Sequence, residues 1–232
     1  MSLDSVNPEI HDEFRMRNGA YAKAMDALRL ASSRQIPGFT CSLRSSVTPA
    51  RFDELEKLVN LARDHGCRRI GFSGVQPVGR ALVREDLWMS RNQKHEFLQR
   101  VQDLNQKYSD ISVGTNDPLQ CLLDGDSDVE IETEGERVFG GCGAAAVTFN
   151  VNADGTMTPC AMLDIPIMNV FRLSLEEMVE RYRTEPIVKN MLTMNLNGKC
   201  SSCHRKFRCG GCRARALAHS GDPLGEDPHC WR

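Results

Sequence analysis

No run of about 18 apolar residues occurs in this chain, so nothing in it reads as a membrane-spanning helix. The N-terminal residues carry no basic region followed by an apolar one, so no secretory leader is expected. Charge of either sign is in little excess. A net charge of -2 argues against a general nucleic-acid binder. The 232 residues, 41% hydrophobic and 26% charged, are those of a soluble chain, enough for one large domain or two small ones. Ten cysteines without a leader point to a reducing cytoplasm.

The cysteines are unevenly placed. Cys200, Cys203, Cys209 and Cys212 fall within thirteen residues, Cys230 follows, and Cys142 and Cys160 lie upstream. Thiolates are soft ligands that select zinc, Cu(I) or iron–sulfur clusters. A zinc ribbon separates its two C-x2-C pairs by roughly 15–20 residues, whereas five residues separate Cys203 from Cys209. A zinc knuckle needs a histidine between its later cysteines, but His204 follows Cys203 directly. Crowded cysteines completed by a distant one are the habit of iron–sulfur sites. Seven thiols exceed one four-ligand metal and fall one short of eight, so two clusters, one incompletely ligated by Cys, is the natural reading. A disulfide framework would need an oxidising compartment. Zinc and disulfides stand as the alternatives.

Before the cysteines, strands and helices alternate with short loops, which implies parallel βα units. Met1–Leu3 read as a strand end followed by a polar loop. A helix is expected from Gly19 to Ser33, with Tyr21, Ala24, Met25, Leu28 and Ala31 on one face. A strand is expected at Phe39–Leu43, then a helix to Asp64 capped by Thr48 and Pro49 and stopped by Gly66. Arg69–Ser73 and Ile111–Val113 read as strands. Between them, Ser90 and Gln93 form a capping box for a helix burying Phe97, Leu98, Val101 and Leu104. Cys41, Cys67 and Cys121 read as small buried apolar residues.

An acidic connector spans residues 124–141. Beyond it, Val147–Val151 and a return strand from Met157 flank Asn152-Ala153-Asp154-Gly155 as a hairpin that brings Cys142 and Cys160 to one end. Ser174 and Glu177 cap a helix with Leu175, Met178, Val179 and Tyr182 on one face, and a short helix starts at Pro186.

Cys142, Gly155-x4-Cys160, Cys200-x2-Cys203-x5-Cys209-x2-Cys212 and Cys230, with NADGTMTPC, CGGCRARA and GDPLGEDPHC around them, resemble the seven-cysteine motif of SPASM domains. These are C-terminal extensions of radical S-adenosylmethionine (AdoMet) enzymes. The usual motif has three residues where two separate Cys209 from Cys212. The resemblance is greatest to haem-biosynthesis and cofactor maturases, and it covers nearly the whole chain. It implies an α/β fold: the C-terminal part of a (β/α) TIM-type barrel over 1–123, the connector, and a cysteine-rich SPASM domain with a hairpin and short helices over 142–232. It implies two auxiliary 4Fe–4S clusters, one held by Cys200, Cys203, Cys209 and Cys230, the other by Cys142, Cys160 and Cys212 with a non-Cys ligand or an open iron.

SLDSVNPEIHDEFR is similar to the fourth strand and following loop of the radical AdoMet barrel. The resemblance puts Ser2 and Asp4 near the ribose or amino-acid end of AdoMet, and Arg15 near its carboxylate. A guanidinium fork suits that last role. Without the family, Arg15 reads as a surface partner of Asp12 or Glu13. VQPVGRA resembles the loop after the sixth strand, which lines the active site.

The C-x3-C-x2-C triplet that holds the AdoMet-cleaving cluster in this family does not occur here, and Met1 matches the end of a fourth strand. The expectation is therefore the C-terminal part of a larger enzyme, with a missing barrel half as partner. Its substrate would be a peptide or tetrapyrrole-like molecule and its reductant a flavodoxin or ferredoxin. Lys199, Arg205, Lys206, Arg208, Arg213 and Arg215 around the cysteines read as compensation for cluster charge, or as a site for an anionic substrate. A stand-alone iron–sulfur electron-transfer or binding module and a structural zinc protein are the competing readings.

Overall fold

The computed structural model describes residues 1–33, 38–123 and 141–232, with the backbone of 132–133 and 136–137. The chain forms two compact units, Met1–Val75 with Asp86–Asn116, and Gln76–Glu85 with Asp117–Arg232.

The first unit is a parallel sheet with helices. Leu3 donates to the Arg44 carbonyl and Arg44 to the Met1 carbonyl, so the N-terminal residues extend the sheet as expected. The polar loop expected next is instead helix α1 (Pro8–Arg15). The Asn7 side chain accepts from the Glu9 and Ile10 amides and Pro8 sits where no N–H is needed, a complete helix start. Helix α2 (Ala20–Ser33) follows and buries Met25 and Leu28. Strand β1 spans Ser42–Val47, three residues later than the expected start. Leu43, Ser45 and Val47 alternate inward there, while Phe39 is exposed.

Pro49–Glu54 is a 3-10 segment with a kink at Arg51, and only Leu55–Asp64 is α-helical (α3). Thr48 does not cap it; its hydroxyl accepts from Arg51 Nε instead. Strand β2 (Arg69–Gly74), helix α4 (Arg91–Lys107) and strand β3 (Ser112–Thr115) complete the unit. The sheet order is β1-β2-β3, parallel throughout. The capping box of α4 forms as read, and Phe97, Leu98, Val101 and Leu104 are buried. Lys94, on the first turn of α4, is also buried, 1% exposed, over the Phe97 ring and against Gly74. One sheet face packs on apolar side chains. The other carries Arg44, Gly71 and Thr115 and is lined by a cavity of about 200 Å³.

The connector lies largely outside the described residues, but strands β4 (Glu132–Thr133) and β5 (Glu136–Arg137) pair antiparallel within it.

In the second unit the hairpin is shorter than expected. Strand β6 is Asn150–Val151 and β7 is Thr156–Thr158, and β8 (Met168–Asn169) adds a third antiparallel strand. Gly155 makes the turn at φ 85°, a left-handed backbone that favours glycine. Helices α5 (Leu175–Thr184) and α6 (Pro186–Leu192) follow. The capping box of α5 is present, but its expected apolar face divides: Met178 and Tyr182 pack inward while Leu175 is 67% exposed. After the cysteine run comes α7 (Arg213–Ser220). Ala144, Met157, Leu163, Ile167, Met168, Val188, Met191 and Ala214 form the core of this unit.

Candidate metal centre

Tight turns present the cysteine run. A 3-10 turn at Gly198–Cys200 leads in, the Cys203 amide bonds the Cys200 carbonyl, and the Cys209 amide bonds the Arg205 carbonyl. Gly210 and Gly211 are both left-handed, at φ 63° and 58°, and turn the chain sharply between Cys209 and Cys212. The Cys142 amide donates to the Cys209 carbonyl at 3.0 Å, joining the upstream cysteine to the run.

A buried ion network fixes the other end. The Asp227 carboxylate accepts from the Cys212 amide at 2.7 Å and the His229 amide at 3.0 Å. Arg215 then clamps Asp227 and Asp117 together, with N···O distances of 2.6 and 2.7 Å. Isolated burial of that guanidinium would be prohibitive; two carboxylates and Gln76 Oε1 satisfy its donors. Gln76 and Val78 of the VQPVGRA segment belong to this unit, Val78 packing on its core.

Cys142, Cys160 and Cys212 pack against one apolar cluster. Cys200 lies close enough to Cys209 and Cys230 for both to raise its pKa, after burial, which raises it most. Burial likewise raises Cys212, with Cys142 adding to it and Arg215 opposing. Such thiols are protonated when metal-free, so any ligation must displace their protons. Among the described residues no three Cys, His, Asp or Glu side chains close around a common point; the neighbourhoods are pairwise.

The donor set fits an iron–sulfur group in two respects. Every candidate ligand is a thiol, and backbone amides are aimed at sulfur: Gly211 N–H at Cys209 Sγ, 3.4 Å, and Met162 N–H at Cys160 Sγ, 3.5 Å.

The three cysteines read as apolar fillers divide. Cys41 and Cys67 are buried in the first unit, where desolvation and then Cys41 push the Cys67 thiol up to about 12. Cys121 behaves otherwise. It is half-buried, its thiol donates to the Pro118 carbonyl at 3.2 Å and its carbonyl accepts from Arg205, and its nearness to Cys209 raises the Cys209 pKa. Its spacing from the cysteine run hid this, because only the fold brings them together.

In the first unit, Asp4 is buried and both carboxylate oxygens are engaged. Oδ2 accepts from Arg15 Nε at 2.6 Å and Oδ1 from the Ser46 amide at 2.7 Å. Arg15 therefore pairs with Asp4 rather than with Asp12 or Glu13. Its side chain is 37% exposed. The Asp4 amide donates to His11 Nδ1 at 3.1 Å, so the neutral His11 ring carries its proton on Nε2. Ser2 is exposed and bridges Arg44.

No family model matches the chain. It is 27% identical over 242 residues to the AdoMet-dependent heme synthase of Methanosarcina barkeri, covering 99% of this chain and 66% of that protein. It is 29% identical over 238 residues to the PqqA peptide cyclase of Ruegeria pomeroyi, covering 100% and 59%. The chain thus spans about three-fifths to two-thirds of the length of these curated relatives. The structure of Streptococcus suis SuiB bound to precursor peptide SuiA superposes with a TM-score of 0.75 at 15% identity, covering 100% of this chain and 53% of that one. The parallel βα sheet and the cysteine-rich unit are thus matched together, in sequence and in backbone, by radical AdoMet/SPASM proteins.

Proposed function

We propose that this chain is the AdoMet-orienting and auxiliary-cluster portion of a maturase that acts on a peptide or a tetrapyrrole-like cofactor precursor. The observation that carries the reading is Asp227, which holds the backbone of Cys212 and of the segment leading to Cys230 on one carboxylate. That carboxylate ties the backbone of Cys212 to that of His229, beside Cys230, which supports a reading in which thiols of two ligand groups are presented near one another.

Cys200, Cys203, Cys209 and Cys230 would hold one 4Fe–4S cluster, and Cys142, Cys160 and Cys212 the other. Such clusters supply one-electron transfer when bound. The protein's part is positional. The Met162 and Gly211 amides donate to the sulfurs of Cys160 and Cys209, and the apolar cluster half-buries Cys142, Cys160 and Cys212. In the barrel part, over 1–123, Arg15 would bind the AdoMet carboxylate, Asp4 would orient Arg15, and Ser2 would lie nearby. The polar sheet face around Arg44, Gly71 and Thr115 would face the substrate. The electron donor would be a small redox protein of the flavodoxin or ferredoxin class, and the compartment the cytoplasm. Among the described residues no helix is long and apolar enough to cross a membrane.

Anaerobic reconstitution of the chain with iron and sulfide tests the reading. Absorption near 400 nm that bleaches on reduction, with stoichiometric iron and sulfide, is expected. A colourless protein that takes up zinc and no sulfide would replace it with the structural zinc reading.

A further inference from the structure

Arg213 and Arg215 are neighbours on α7, and both are buried, at 3% and 1% exposure. Their donors are used differently. Arg215 is saturated by Asp117, Asp227 and Gln76. Arg213 spends Nη1 on the Pro223 and Gly225 carbonyls, at 3.1 and 2.8 Å, and Nε on the Gly211 carbonyl at 3.4 Å. Its Nη2 is buried and has no hydrogen-bond partner among the described residues. A buried guanidinium donor left so forfeits a hydrogen bond, which native proteins rarely tolerate.

The location of that atom suggests its use. Nη2 stands 2.7 Å from where a Cβ of Gly211 would be, so it lies in the bend between Cys209 and Cys212. Only glycine leaves it that space. Arg213 is also among the charges that lower the Cys200 pKa against the burial that raises it. The free donor thus lies at the bend that directly follows Cys209, the last thiol of the run Cys200–Cys209 assigned to the first cluster. Three fixed carbonyl contacts hold it there, so it is pre-oriented.

On the cluster reading above, we infer that Arg213 Nη2 donates a hydrogen bond to a sulfur atom of the group held by Cys200, Cys203, Cys209 and Cys230, and so raises its reduction potential. Arg213 is then a positioning and tuning residue, not a ligand. Donors to sulfur and a nearby positive charge both favour the more negative, reduced cluster. This separates Arg213 from the general basic character of the segment.

The test uses the full chain, reconstituted anaerobically, as wild type, Arg213→Lys and Arg213→Gln. Iron and sulfide content, far-ultraviolet circular dichroism and a redox titration followed by electron paramagnetic resonance are measured together. The signal absent from Cys203→Ala identifies the cluster concerned. The midpoint potential of that signal is expected to move negative in both variants, further for Gln than for Lys, because Lys keeps the charge but not the fork. The other signal should stay in place. Unchanged potentials at wild-type iron content would overturn the inference. Loss of iron from both folded variants would also overturn it, marking Arg213 as a strut for the loop. A wild type that binds no iron would overturn the cluster reading itself, and the inference with it.

Discussion

Arg215 and Asp227, twelve residues apart and each 1% exposed, meet at 2.6 Å in the interior of the cysteine-rich unit. Asp227 also accepts from the backbone amides of Cys212 and of His229, next to Cys230, so the ion pair acts on the cysteine-bearing loops directly. Replacing Arg215 with Met takes the guanidinium away from two buried carboxylates, Asp117 and Asp227. A loss of ~3–5 kcal/mol is expected, read as a lower denaturation midpoint of this unit. Breaking the exposed Arg29–Asp26 pair should change stability by less than ~1 kcal/mol. Equal effects in the two cases would refute the importance of burial here.

The His11 imidazole gives the first unit an acid limit. Burial pushes its pKa below the ordinary value, with Asp4 opposing. The sign follows from linkage. The unfolded chain binds the proton first, so the stabilising contribution is complete above about pH 6.5 and is lost as pH falls through the lowered folded value. Protonation also removes the acceptor at Nδ1 that takes the Asp4 amide. His11→Asn, which keeps an acceptor but does not titrate there, should flatten the stability profile below pH 6.5. Thermal denaturation at several pH values measures it, and an unchanged acid limb would sink the assignment.

Iron content should separate the ten cysteines. Cys203→Ala and Cys160→Ala are each expected to lower iron and sulfide after reconstitution, while Cys41→Ala and Cys67→Ala, both in the first unit, are not. Wild-type content in both of the first two variants would be decisive against the ligand sets.

The second unit should depend on its metal and the first should not. Strands of two or three residues and a modest apolar cluster bury little surface, so ligation must offset much of the chain entropy. Chelation should make the region from Cys142 to Cys230 protease-sensitive while the helices around Phe52 and Phe97 stay protected. Limited proteolysis read by mass spectrometry is the measurement; equal resistance after chelation would contradict it.

Gly155 offers a purely steric test. At φ 85° an alanine Cβ would lie 2.5 Å from Phe171 Cδ2 and 2.8 Å from Asn169 Oδ1. Gly155→Ala should therefore cost more than ~1 kcal/mol, detectable as a lower thermal midpoint, whereas Gly19→Ala meets no neighbouring atoms and is limited by its backbone angle alone.

What could be read from the sequence was local. Both capping boxes, the inward residues of α4 and the seven-cysteine pattern are short-range signals, and the two boxes and the α4 face are present as read. Helix α1 was equally local, in Asn7-Pro8, but its charged residues resembled a loop. Strand β1 was displaced because Ser42–Val47 is polar and buries Ser45 alongside Leu43 and Val47. The connections that define the site were not legible. Arg215 reaches Asp117 across 98 positions and Cys121 finds Cys209 only through the fold, and no periodicity records such pairs. Asp4 bears on the same limit: a family pattern points to the residue, but only geometry shows both its oxygens committed to Arg15 and Ser46.

The bond from the Cys142 amide to the Cys209 carbonyl has a consequence for anyone wishing to shrink this protein. A side chain at Gly141 would drive a carbon into that carbonyl oxygen, so the two backbones run in direct contact. Hairpin and cysteine run are therefore closed on each other like a clasp, with Asp227 as the second fastening. A fragment cut from either piece alone would lose its closure. The smallest transplantable unit begins no later than Gly141 and must reach past Asp227.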